Sequence, residues 1–159
     1  MDVDLERFVA DFLDVSRLAG MPLARSDVEV EVLRKPHRRP SRLPAGRKAV
    51  YVFATDSRCL KVGKVGANSQ PRFVSQHYSP NNKRSGLAKS LLSTAPALGA
   101  FHHELGGLTA DSVGAWIESN TTRIHFYVPE RVPNALLSLL ESFAQCRFRP
   151  LFEGGDKRL

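Results

Sequence analysis

The sequence predicts a small α/β or α+β domain, with a central antiparallel β-sheet flanked by helices and an N-terminal helical extension. Three observations predict it. A chain of 159 residues suits one domain and can bury a core without disulfides or metals as staples. Its apolar positions switch between helical and strand spacing, so that helices and strands alternate in mixed order. The stretch "AVYVFATDSRCLKVGKVG", residues 49–66, is two apolar runs around a polar turn, the pattern of an antiparallel hairpin.

Residues 3–19 place Leu5, Phe8, Val9, Phe12, Leu13 and Leu18 at helical spacing with acids opposite, and Gly20 stops the helix. In "DVEVEVL", Val28, Val30 and Val32 alternate with Asp27, Glu29 and Glu31 as in a half-buried strand whose partner is open. Residues 34–48 hold three prolines, one glycine and seven bases, which reads as an irregular basic arm and not a packed element. After the hairpin, Pro71 favours a helix start in "NSQPRFVSQHY", and "SGLAKSLLS" is a further short helix. Residues 109–118 read as a helix, "TRIHFYV" (122–128) as a strand, and residues 132–148 as a helix ended by Pro150.

Charge is distributed unevenly. Residues 32–103 carry fourteen Lys or Arg against one acid, Asp56, a local balance of +13; the net charge of +7 leaves −6 for the rest. Such asymmetry is the electrostatic footprint of a protein that meets polyphosphate, because each neutralised phosphate releases a condensed counterion. Arg38, Arg39 and Arg42 in the arm, with Lys64, Lys83 and Arg84 beyond it, are the candidates to grip a nucleic-acid backbone. Cys59 and Cys146 are the only cysteines, no run is long enough to span a bilayer, and the N-terminus is acidic where a secretory signal is basic and then apolar. A cytoplasmic protein without membrane contact is the expectation.

Within the hairpin, Val50, Val52 and Ala54 point to one face while Tyr51 and Phe53 point to the other. A turn centred on Asp56 sets Tyr51 opposite Lys61. Cross-strand partners have Cβ atoms about 5 Å apart, so the ammonium would favour the phenolate and lower the Tyr51 pKa. A one-residue slip of register removes that argument. "GKVGANSQPR" sets glycines and a helix start before Arg72, so that backbone donors and a guanidinium can converge on one anion. On a helical wheel of residues 136–148, Glu141 falls at the border of a broad apolar arc, beside Leu137 and Phe148. A carboxylate held there can reach a cleft and ligate a hard divalent cation, or simply reach water.

Together these features resemble the GIY-YIG nuclease superfamily, whose pattern is a Gly-Ile-Tyr strand, a Tyr-Ile-Gly strand, an arginine on the next helix, a helical glutamate and a final asparagine. Ala49-Val50-Tyr51 stands at the first motif and Lys61-Val62-Gly63-Lys64 at the second, as in a divergent branch with lysine in place of the second tyrosine. Arg72 follows Gly63 by nine residues, and "LLESFAQCRFRPLFE" resembles the family's ending, with Glu141 nine positions before Pro150. Position 76, where the family carries His or Tyr, is Gln, with His77 and Tyr78 following; Glu153 stands at the closing asparagine. The resemblance covers about residues 48–154, so that residues 1–47 form the extension and 48–159 the nuclease-like domain.

The resemblance implies a metal-dependent endonuclease acting on DNA phosphodiesters, with RNA as a second possible polymer. It implies one Mg²⁺ or Mn²⁺ per site, held by Glu141, with Arg72 on phosphate oxygens, Tyr51 positioning or deprotonating the attacking water, Lys61 tuning Tyr51, and His77 assisting proton transfer or contacting phosphate. The rival expectation is a catalytically inactive nucleic-acid-binding module of the same fold. The N-terminal helix could form a homodimer, or fold back over the basic cleft.

Overall fold

The computed structural model describes residues 4–81, 86–94 and 105–152. Helix α1, Leu5–Leu18, begins at Asp4, whose carboxylate accepts the Arg7 N–H at 2.9 Å and satisfies one of the free amides of the first turn. A 3₁₀ turn at Arg25–Asp27 leads into β1, Glu29–Leu33. The hairpin is β2, Arg47–Ala54, and β3, Cys59–Val65. Helices α2, Gln70–Val74, α3, Leu87–Thr94, and α4, Val113–Asn120, precede β4, Thr122–Pro129, and α5, Asn134–Phe148, closes the described fold. The fold is mixed α+β. The four strands lie in the order β1-β4-β2-β3, and every pair is antiparallel.

Alternation along the central strand sorts the core into two layers. Val50 and Val52 pack with Phe8, Val9 and Phe12 of α1 and Leu136, Leu137 and Leu140 of α5. Tyr51 and Phe53 face the other way, against Phe73, Leu87, Leu91, Val113 and Ile117. Each such buried side chain contributes roughly 1.5–3 kcal/mol. The apolar face of α1 is therefore spent within the chain, on the layer opposite Tyr51, and not over a cleft on the Tyr51 side.

Residues 4–47 contribute to the same sheet and core as the hairpin, β4 and α5: the partner left open for β1 is β4, with Glu31 opposite His125. The basic arm is irregular but anchored. His37 is buried, donating from Nδ1 to the Thr121 carbonyl at 2.7 Å and receiving the Tyr78 hydroxyl at Nε2 at 2.9 Å. Leu43 is buried too, its N–H and C=O both bound by the Gln70 amide. It is a packed segment without regular structure, where the sequence suggested no packed element.

Two boundaries differ from those the sequence predicts. The helix containing Arg72 is only five residues, because the Ser75 and Gln76 amides both fall on the Pro71 carbonyl at 3.0 Å and close it; His77 and Tyr78 lie beyond its end. The helix read at 109–118 begins at Val113, after a turn in which the Thr109 and Ser112 hydroxyls bind each other's backbone N–H. Helix α5 ends at Phe148 and is capped by Arg149, left-handed at φ 48°, since the ring of Pro150 disfavours a right-handed helical residue before it. Among the described residues no helix is long and apolar enough to cross a membrane.

Candidate active site

The hairpin register departs from the one expected. Tyr51 lies opposite Gly63, and Lys61 opposite Phe53. The cause is local: Thr55 N–H closes the turn onto the Arg58 carbonyl at 2.9 Å, and a bulge leaves Leu60 unmatched, since Phe53 pairs with Lys61 and Ala54 with Cys59. Lys61 thus does not sit across from Tyr51. It is buried at 7 % exposure, and its ammonium donates to the Phe152 carbonyl at 3.2 Å. The segment Leu151–Phe152 runs along the outer edge of β3, its amides bonded to the Cys59 and Leu60 carbonyls. Lys61 helps hold that segment down.

With Gly63 opposite it, the Tyr51 ring lies against bare backbone: a Cβ on Gly63 would come within 2.4 Å of the phenol oxygen. That oxygen meets His77 Nε2 at 2.7 Å and receives Arg72 Nε–H at 3.4 Å. Tyr51 and His77 are 0 % and 1 % exposed, whereas Arg72 and Glu141 are half-buried and reach solvent. Buried as it is, His77 offers no surface to a phosphate. Burial raises the Tyr51 pKa above its ordinary value, with Arg72 opposing, so the depressed phenol expected from Lys61 is not found.

Glu141 joins the group from α5. Its charge acts on both Tyr51 and Arg72, and its Oε2 accepts Lys64 Nζ at 2.7 Å, with the same ammonium donating to Ser138 Oγ at 3.0 Å. Tyr51, Arg72 and His77 are in direct contact. The Glu141–Lys64 pair lies on the α5 side of the sheet and reaches Tyr51 and Arg72 through the Glu141 charge alone, while Lys61 acts on His77 through its charge. Arg38, Arg39 and Arg42 are exposed on the arm, but Arg39 pairs with Glu118 and lies over the Tyr78 ring at 4.8 Å. Lys83, Arg84 and Glu153 lie outside the described residues.

The donor set bears on the divalent ion. Glu141 supplies one carboxylate whose Oε1 has no partner among the described residues. No group of three or more His, Cys, Asp or Glu suited to a metal occurs among them. A single carboxylate of this kind can ligate a hard divalent cation that completes its shell with water and phosphate oxygens.

Sequence reasoning passed over Arg123. Fully buried on β4, it donates from Nη2 to the Phe73 carbonyl at 2.7 Å and from Nη1 to Tyr78 at 3.1 Å, and lies 4.7–5.4 Å from the rings of Phe73, Phe53 and Tyr51. The aromatic faces compensate a cation with no carboxylate partner among the described residues. Its signal was present in "TRIHFYV", where Arg123, His125 and Tyr127 share one strand face.

Fold and site define an antiparallel α+β protein in which Tyr51 of the interior strand β2 meets His77 and Arg72, with a Glu141–Lys64 pair on the α5 side of the sheet. No protein-family model, curated protein or solved structure matches the chain.

Proposed function

We propose that the protein is a metal-dependent endonuclease that hydrolyses DNA phosphodiester bonds with a GIY-YIG-type site, in the cytoplasm. The observation that carries this reading is the meeting of Arg72 and His77 on the Tyr51 oxygen beside Gly63, with the Glu141 charge acting on Tyr51 and Arg72.

Arg72 keeps Nε on Tyr51, while Nη1 and Nη2, which have no partner among the described residues, take phosphate oxygens in a fork. Tyr51 orients or deprotonates the attacking water once substrate opens a path to its oxygen. Glu141 holds the Mg²⁺ or Mn²⁺, which when bound polarises the scissile phosphate and stabilises charge on the leaving oxygen. Arg38, Arg42 and Lys64 supply cationic contacts to the backbone, with RNA the second substrate to test against DNA. A homodimer through α1 would use its outer face, since Phe8, Val9 and Phe12 are buried inside the chain.

One observation favours a second reading, a nucleic-acid-binding module without catalysis: the Tyr51 side chain is fully buried and its pKa raised by that burial. Conversion of supercoiled plasmid to open circles separates the two. Nicking with Mg²⁺ or Mn²⁺, abolished by a chelator, is the expected result; binding without nicking in any divalent ion favours the module.

A further inference from the structure

The Tyr51 oxygen lies between two nitrogens whose roles follow from their other contacts. Arg72 Nε has only a hydrogen to give. For His77 the opposite side of the ring decides: the backbone N–H of Leu87, the first residue of α3, donates to Nδ1 at 3.3 Å. An amide N–H only donates, so Nδ1 presents its lone pair, and an imidazolium would set two N–H groups against each other. The neutral ring carries one hydrogen, which is therefore on Nε2. In the 2.7 Å contact His77 donates and Tyr51 accepts.

We propose that His77 is a positioning residue, donating its Nε2 hydrogen to the Tyr51 oxygen and not receiving the phenolic proton. The phenol oxygen then faces two donors, Nε of Arg72 and Nε2 of His77. Donors directed at one oxygen favour its ionised form and oppose the effect of burial. The surroundings keep the imidazole neutral: burial first, then the cations Arg123 on β4, Lys61 on β3 and Arg72 on α2, hold its pKa well below the ordinary range. At 1 % exposure His77 touches no substrate and acts only through Tyr51. The consequence for cleavage rests on the nuclease reading; the position of the hydrogen does not.

The direct test is a side-chain ¹H–¹⁵N correlation spectrum of the uniformly labelled full chain, with His77 assigned by loss of its signals in His77→Gln and by through-bond correlation to its own backbone. The expected result at pH 7 is a protonated Nε2 and an unprotonated Nδ1, unchanged at about pH 5.5, where an ordinary histidine is mostly imidazolium. An Nδ1–H tautomer, or imidazolium at pH 7, overturns the proposal. In cleavage, His77→Gln retains an amide donor and is expected within about tenfold of the parent, while His77→Leu loses about 10²-fold. Equal losses in the two variants would overturn the donor role. If the parent chain cuts no DNA, the nuclease reading fails while the spectrum still decides the tautomer.

Discussion

At Gly63 the backbone is bare where the phenol crosses it, because a Cβ would lie 2.4 Å from the Tyr51 oxygen and 2.7 Å from Cζ. Neither atom is the end of a flexible chain, so Gly63→Ala must move the ring away from His77 and Arg72. The expected result is a loss of about 1–3 kcal/mol in thermal denaturation and about 10²-fold in nicking; parent-like nicking would show that the Tyr51 contacts do not matter. Individual residues were legible where periodicity places them. Glu141 sits at the border of its helix in the structure as on the wheel, and Arg72 follows its glycine turn into α2. Lys61 was misread because the turn centres between Asp56 and Ser57, which moves the register by one position, and the bulged residue Leu60 moves it by one more; alternation reveals neither. Arg123 escaped notice because an arginine on a strand is ordinarily a solvated residue, and only the packed aromatic layer shows it buried.

At the scale of elements, β1 is tied to β4 by more than the ladder. Glu31 Oε2 accepts hydrogen bonds from His125 Nδ1 and from the Tyr127 hydroxyl, each at 2.7 Å. Burial, then Arg123, lowers the His125 pKa to about 3 against the pull of Glu31, so this contact is a neutral imidazole donating and not an ion pair. Burial works to raise the Glu31 pKa, but the hydrogen bonds from His125 and Tyr127 outweigh it and the net shift is downward. Both groups therefore bind fewer protons folded than unfolded. The stability they contribute is complete above about pH 6.5 and is lost as pH falls, first through His125 and then, below about pH 4.5, also through Glu31. The melting temperature is expected to fall between pH 7 and pH 4, and His125→Gln to flatten that fall; a parent profile flat across the range would contradict the assignment. The strands and long helices were readable because one apolar face repeats along each. Element ends and pairings were not, because the closure of α2 on Pro71 and the pairing of β1 with β4 depend on contacts that no local pattern carries.

For the whole molecule, the sheet divides labour between its faces: α1 and α5 build an apolar layer on one, and the other carries Tyr51, His77 and the aromatic cage of Arg123. The local charge of +13 over residues 32–103, legible from composition alone, is borne partly by an arm fastened at His37 and Leu43. Arg38 and Arg42 are exposed there with no ion-pair partner among the described residues, so replacing both with Gln should lower the slope of log K against log salt for duplex DNA by about two. An unchanged slope, measured by fluorescence anisotropy, would remove the arm from the interface. The central claim, that this cluster cuts DNA with a divalent ion held by Glu141, is tested most directly by comparing plasmid nicking by the parent chain and Glu141→Ala in Mg²⁺ and Mn²⁺. The account predicts a loss of at least about 10²-fold with folding and DNA affinity retained; nicking by Glu141→Ala at the parent rate would contradict it.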